Sequence, residues 1–177
     1  ITAHRADADH GRGFYDRAME TCSRVMQAIT ALPQPVIAAV QGVATAAGCQ
    51  LVATCDLAVA SDQARFCTPG VDIGLFCSTP AVALARAVPR KAAMEMLMLG
   101  DMIPAEEALR IGLVNRVVPQ DRLMVTALEL AGRIAARSAL TVRMGKRGFY
   151  RQVDLPLAEA YREAACIMTD NLMAHDA

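Results

Sequence analysis

Apolar residues recur at two different spacings along the chain, and the alternation between them predicts an α/β architecture. Residues 14–32 place apolar side chains three and four positions apart, which is the pattern of an amphipathic helix. Residues 35–40 (PVIAAV) and 56–61 (DLAVAS) are short apolar runs, typical of strands that are buried on both faces. A helix of about ten residues is predicted between them, after Gly42. This order predicts a right-handed crossover and a parallel sheet.

The second half of the chain is predicted to be mostly helical. Further strands are expected at residues 64–69 and 113–118. The predicted helices cover residues 80–88, 91–99, 104–111, 121–137 and 155–172. The chain therefore divides into a core, residues 1–120, and a C-terminal helical region, residues 121–177.

Composition and charge exclude several classes of function. The 18 Lys and Arg residues balance 18 Asp and Glu residues, so no net field favours nucleic acid or an anionic membrane surface. The uncharged stretches are interrupted by Gly, Pro and polar residues, which argues against a membrane span, and no signal-peptide pattern is present. We expect a cytoplasmic protein, or a mitochondrial matrix protein in a eukaryote. The polar start without Met predicts an internal piece of a longer protein.

Cysteine and histidine spacing predicts neither a zinc site nor a redox couple. The sequence has no CxxC pair and no histidine at ligand spacing from a cysteine. We expect reduced thiols that pack like small hydrophobic residues. The three histidines, His4, His10 and His175, lie near polar chain ends and are expected in solvated loops.

Tiny side chains coincide with a predicted helix start at Ala46, Ala47 and Gly48. The first turn of a helix has unpaired N–H groups and carries the positive end of the helix dipole. Methyl-sized side chains leave those amides open to a ligand, which fits an oxyanion hole that stabilises an enolate or alkoxide. Close packing of the helix against a strand explains the same residues, and the spacing alone leaves both interpretations open.

Residues 35–119 carry an ordered series of motifs. They are PVIAAV followed by Gly42, the helix start with Gly48-Cys49, Cys55-Asp56 before a strand, the Arg65-Phe66 strand, GDMIPAEEA at 100–108 and GLVNRVVP at 112–119. This series resembles the crotonase family, the enoyl-CoA hydratase/isomerase superfamily. The resemblance implies an α/β fold of the crotonase-like ββα-spiral type, whose N-terminal strands would precede Ile1. It also implies an acyl-CoA thioester substrate, no metal or redox cofactor, and a homotrimer or hexamer joined through the C-terminal helices.

The resemblance also assigns the candidate site. The helix-start amide that polarises the thioester carbonyl in the family matches Ala47, while the positions of the two hydratase glutamates hold Gln50 and Gly70. Glutamine is not a general base at neutral pH and glycine has no side chain, so two-glutamate hydration is not expected. Residues 68–91 resemble a branch of the family that lacks this glutamate pair.

Other polar residues are candidates for the chemistry. Asp72 is a candidate base if burial raises its pKa, with a structural cap as the alternative. Ser78 matches a region where family isomerases carry an aspartate. The predicted substrate-binding residues are Ala46, Gly48, Gln50, Gly70, Leu75 and Ser78. The helix dipole favours a lowered pKa for Cys49, with packing as the alternative. Lys146 either reaches CoA or extends from a helix end into solvent.

Three functions therefore stay open. The chain is an acyl-CoA enzyme that works through a thioester enolate held by the Ala47 N–H, a non-catalytic acyl-CoA binding protein, or an oligomeric scaffold. A cavity beside Ala47 favours the first two functions, whereas filling of that space by Leu75 and Phe76 makes binding improbable.

Overall fold

Six strands and eight α-helices follow one another in the computed structural model, which describes residues 11–174. The strands are β1 (Ile37–Val40), β2 (Val43–Thr45), β3 (Leu57–Ser61), β4 (Arg65–Cys67), β5 (Ile103–Pro104) and β6 (Arg116–Val118). The helices are α1 (Arg12–Ala31), α2 (Ala47–Thr54), α3 (Ser78–Ala87), α4 (Arg90–Leu99), α5 (Ala105–Arg110), α6 (Leu123–Ala135), α7 (Ala139–Gln152) and α8 (Leu157–Leu172). The three histidines lie outside the described residues. No helix in the described range is both long and apolar enough to cross a bilayer.

The strands form two three-stranded sheets. In the first sheet β3 lies between β1 and β6, and both pairs are parallel. In the second sheet β4 pairs with β2 in parallel and with β5 in antiparallel orientation. The predicted parallel pairing of the two apolar runs is confirmed, with Ile37 opposite Leu57. The central strand β3 is the most buried because it has a partner on each side: Val59 and Ala60 are fully buried.

Strand β2 corrects the predicted topology. The sequence predicted a helix directly after Gly42, but the chain first forms β2 in the second sheet. Helix α2 begins only at Ala47, two residues after β2 ends. Two of the three β2 residues, Val43 and Thr45, are β-branched, which favours extended backbone. The start of α2 therefore lies at the end of a strand of the second sheet.

Helix α7 was missed by the sequence analysis because Gly145 and Gly148 weaken its helical pattern. Two contacts explain why it forms. The Ser138 hydroxyl accepts a hydrogen bond of 3.2 Å from the Thr141 N–H and caps its first turn. A Cβ at Gly148 would lie 2.7 Å from Cδ1 of Ile167, so the glycine lets α8 pack closely against α7.

Lys146 fastens α7 to the core. Its side chain is buried, and its ammonium donates hydrogen bonds to the carbonyls of Ile29 and Gln34 and to Oδ2 of Asp56. Three acceptors match the three N–H groups of a lysine. The expectation that Lys146 reaches CoA or solvent is wrong, because its ammonium joins α7 to α1 and to the segments that precede β1 and β3.

Candidate functional site

The start of α2 is held in a strained backbone conformation. Ala46 has φ 47° and ψ −112°, and among residues 11–174 it is the only non-glycine residue with a positive φ. Its N–H donates to the Cys67 carbonyl over 3.0 Å, and its carbonyl accepts from the Gln50 N–H over 3.0 Å. A non-glycine residue in such a region costs on the order of 1–3 kcal/mol, so the surrounding contacts must maintain it.

The turn at Ala46 exposes the first amide of α2. Ala47 is the first helical residue and is exposed, so its N–H has no acceptor inside the helix. No side chain caps this end of the helix. Nothing lies within 4 Å of the position that a Cβ on Gly48 would take. The helix start therefore offers a backbone donor, with open space beside it, at the positive end of the dipole.

Cys49, in the same turn, is not an activated thiol. It is fully buried, and burial raises the pKa of its thiol to about 12, with Cys67 and Cys77 adding to the shift. Desolvation outweighs the helix dipole, because the thiolate would have to form inside the core. The predicted lowering is wrong, and Cys49 is a packing residue.

Gln50, in the first turn of α2, is buried against α1. It is 4% exposed, and its Oε1 accepts a weak hydrogen bond from the Cys22 Sγ of α1 over 3.8 Å. Gln50 also lines a cavity of about 790 Å³ that is bordered by α1, α2, α3 and α7. Ala46, Ala47 and Gly48 do not line that cavity, so the structure does not bring Gln50 and the helix-start amide to one cavity.

Gly70 lies in a tight turn that a side chain cannot enter. It is buried within the 3₁₀ turn Pro69–Ile73, and its carbonyl accepts a hydrogen bond of 2.8 Å from the Leu75 N–H. A Cβ at position 70 would lie 2.2 Å from the Leu75 carbonyl oxygen and 2.8 Å from the Cys77 Sγ. The position predicted to have lost a glutamate is therefore filled by the backbone that follows it.

Asp72, Leu75 and Ser78 all lie on the surface of the described chain. Asp72 is exposed, so the burial on which its role as a base depended is absent. The Ser78 hydroxyl donates to the Phe76 carbonyl over 3.3 Å. Leu75 and Phe76 are 55% and 44% exposed, so neither side chain is buried in the core. The roles of Asp72, Leu75 and Ser78 at the site stay predictions.

The contact of position 70 with the Leu75 carbonyl could not be predicted from the sequence. The group that meets Gly70 is a backbone carbonyl, and every residue type has one. The hydrogen bond that holds the start of this turn was not predicted either: the buried Thr68 hydroxyl donates to the Met96 carbonyl over 2.9 Å. Gly100, which ends α4 with φ 73°, packs against the same turn. A glycine just after a predicted helix marks a helix end, but it does not identify the neighbouring turn.

Comparison with known proteins connects this site to one family. The sequence model of the enoyl-CoA hydratase/isomerase family matches residues 5–177. The chain is 54% identical over 166 residues to a rat protein named enoyl-CoA hydratase domain-containing protein 3, mitochondrial, and covers 55% of it. It is 52% identical over 168 residues to the human protein of that name. These alignments include 94% and 95% of this chain, so the chain spans about half the length of the curated relatives it matches.

Solved structures share the fold. The crystal structure of human enoyl-coenzyme A hydratase domain-containing protein 3 matches with a TM-score of 0.91 at 51% identity, covering 97% of this chain and 68% of that one. An enoyl-CoA hydratase from Mycobacterium smegmatis matches with a TM-score of 0.92 at 47% identity, covering 98% and 67%. The predicted crotonase-like fold is confirmed.

Proposed function

Because the chain belongs to the enoyl-CoA hydratase/isomerase family, we propose that it binds an acyl-CoA thioester at the start of α2. In this proposal the thioester carbonyl oxygen accepts a hydrogen bond from the Ala47 N–H. Both the donor and the helix dipole stabilise negative charge on that oxygen.

The observation that carries the proposal is the strained turn at Ala46. A turn that only packed a helix against a strand would gain nothing from a positive φ at a residue with a Cβ. Here the strained residue is followed by the exposed Ala47, whose N–H has no acceptor inside the helix, and the space beside Gly48 is open. Strained backbone that is maintained by its surroundings is typical of ligand-binding and active sites.

The reaction proposed for this site does not include hydration by two carboxylates. Gln50 cannot abstract a proton and Gly70 offers no side chain. Polarisation of the carbonyl alone still acidifies the carbon next to it and so supports enolate chemistry, for which Asp72, close to Gly70 in sequence, is the candidate base. The second candidate function is acyl-CoA binding without turnover, and the buried Gln50 and the closed turn at Gly70 favour it.

Assembly and compartment belong to the same proposal. Large apolar side chains remain exposed on the last two helices, namely Phe149, Leu157, Tyr161, Met168 and Leu172. This surface supports residues 121–177 as the region through which a homotrimer or hexamer forms, and an oligomeric scaffold remains the third candidate function. The rat and human relatives are named as mitochondrial, which favours the matrix over the cytoplasm if the source is a eukaryote.

Calorimetry and absorbance on the same samples test the proposal. The full chain is titrated with crotonyl-CoA, and loss of the conjugated-enoyl absorbance is followed afterwards. Binding with turnover supports an enzyme, and binding without turnover supports a binding protein. Ala47→Val narrows the approach to the amide and is expected to weaken binding at least about tenfold, or about 1.4 kcal/mol. Ala31→Val, at the exposed end of α1 and outside the cavity that Gln50 lines, is the matched control. If the wild-type chain does not bind crotonyl-CoA, the proposal is overturned, and the oligomeric scaffold is the candidate function that is left.

A further inference from the structure

A cavity of about 620 Å³, here called the arginine cavity, is lined by residues of β3, β6, α6 and α7. Three arginines contribute to it: Arg116 on β6, Arg133 on α6, and Arg137 just after the end of α6. The rest of the lining is largely apolar and includes Leu130 and Ile134. None of the small residues at the start of α2 lines this cavity, so it is a different place from the candidate site.

The strand register directs Arg116 toward α6. Arg116 lies opposite Val59 in the pairing of β6 with β3. Alternate residues of a strand share a face, and Val118, two positions after Arg116, packs with Val59 and with Leu123 of α6. Arg116 is half-buried. Its side chain therefore starts from the sheet face that α6 covers, at the same side of the molecule as the arginines of α6.

The three guanidinium groups have no counter-ion. None of them makes an ion pair or a side-chain hydrogen bond within residues 11–174. Glu129, four residues before Arg133, is the one acidic residue of α6 and α7, and it pairs with Arg122 over 3.9 Å. Asp56 is the one carboxylate among the described lining residues, and the Lys146 ammonium already binds it over 2.7 Å.

The cavity therefore carries three uncompensated positive charges. Residues 123–152 contain six basic residues and one acidic residue, although the whole chain is neutral. The carboxyl end of α6 supplies a partial negative charge of about half a unit, which is too small to balance three guanidinium groups. Like charges repel each other more strongly where apolar surroundings lower the dielectric constant. An anion bound in the cavity removes this repulsion.

The lining selects the class of anion. Guanidinium N–H groups match the oxygens of phosphates and carboxylates in pairs. Three arginines suit a dianion, and a phosphate monoester carries a charge of about −1.5 to −2 at neutral pH. The cavity also has room for an organic group, and its apolar wall at Leu130, Ile134 and Val142 suits one. These features together favour an organic phosphate.

We propose that the arginine cavity binds an organic phosphate monoester: Arg116, Arg133 and Arg137 hold the phosphate, and the apolar wall contacts the organic group. This site is separate from the proposed thioester site and does not depend on it. Inorganic phosphate has the anion but no organic group, so it binds the same cavity more weakly.

Calorimetry of the full chain with phenyl phosphate tests the proposal. We expect a Kd below about 1 mM for phenyl phosphate and an affinity at least about fivefold lower for inorganic phosphate. Phenol, which has no phosphate, is not expected to bind. Absence of phenyl phosphate binding would overturn the proposal, and so would equal affinities for phenyl phosphate and inorganic phosphate.

Two charge-removing variants test the location of the site. Arg133→Gln and Arg137→Gln are each expected to weaken phenyl phosphate binding about tenfold. Arg147→Gln, at an exposed position of α7 outside the cavity, removes the same charge and is the matched control. All three side chains are exposed, so each variant is expected to unfold at the wild-type Tm. Equal weakening by the three variants would indicate only a general electrostatic field and would overturn the proposal.

Titration of the same variants with crotonyl-CoA distinguishes this proposal from the proposed function. Arg133→Gln should bind crotonyl-CoA as the wild-type chain does, because the arginine cavity does not include the helix start. A tenfold loss would overturn the claim of a separate site. Failure of the wild-type chain to bind crotonyl-CoA overturns the proposed function alone, because phenyl phosphate binding is measured without it.

Discussion

The N–H of Ala46 donates a hydrogen bond of 3.0 Å to the carbonyl oxygen of Cys67. This bond continues the parallel pairing of β2 with β4, in which Thr45 lies opposite Cys67, by one residue beyond the strand. It ties the strained residue to the second sheet and sets where α2 begins. The position of the exposed Ala47 amide is therefore fixed by strand pairing and by the α2 helix together.

Relief of the strain at Ala46 is measurable. Ala46→Gly is expected to stabilise the fold by up to about 1 kcal/mol, because glycine adopts the positive φ without a steric penalty. Ala165→Gly, at an exposed position in the middle of α8, is the control and should destabilise by about 0.5–1 kcal/mol. Urea unfolding of both variants measures the two free energies. Destabilisation by Ala46→Gly would contradict the strained turn.

The buried pair of Lys146 and Asp56 is expected to be the most sensitive polar contact of the described chain. Lys146→Met leaves the Asp56 carboxylate without its cation and should reduce the free energy of unfolding by about 3–5 kcal/mol. Lys146→Met/Asp56→Asn should recover part of this loss, because the uncompensated charge is removed. Denaturant unfolding of the single and double variants tests this, and equal losses in both would contradict it.

Ionisation of the Tyr150 phenol is expected to lower the stability of the fold at alkaline pH. Burial, followed by its hydrogen bond to Asp56, raises the pKa of the phenol above its usual value. A raised pKa of the folded state gives stability that is complete below the unfolded-state pKa, about 10, and is lost as the pH rises further. Tyr150→Phe should unfold with a weaker pH dependence above this value. An unchanged alkaline profile in Tyr150→Phe would contradict this role.

Thiol labelling distinguishes the cysteines. With a pKa of about 12 and full burial, Cys49 should resist iodoacetamide at a pH of about 8.5, whereas exposed Cys166 should react readily. Mass spectrometry of the native chain after brief labelling identifies the modified residues, and Cys166→Ser removes the expected product. Rapid modification of Cys49 in native protein would contradict its packing role.

Four of the six strands and most helices could be predicted because hydrophobic spacing determines them locally. The runs at β1 and β3 and the stripe on α8 are examples, since burial on known faces leaves a period in the sequence. Helix α7 could not be predicted, since its stability comes from Lys146 and from close packing at Gly148, both of which involve residues distant in the chain.

The candidate site stays a prediction, and residue size bears on it only at the start of α2. The small residues at 46–48 indicated an accessible amide, and the structure adds the strain at Ala46 that residue types alone do not encode. Asp72 shows the opposite case: its type suggested a base, but its exposure depends on how the turn after Gly70 folds.

The most direct measurement of the central claim compares two ligands that differ at one carbonyl. Calorimetry of the full chain with butyryl-CoA and with S-butyl-CoA, a thioether without the carbonyl oxygen, isolates the hydrogen bond from Ala47. The account predicts that the thioester binds at least about tenfold more tightly, by about 1.4 kcal/mol, and that Ala47→Val reduces this preference while Ala31→Val retains it. Equal affinities for the thioester and the thioether would contradict the account.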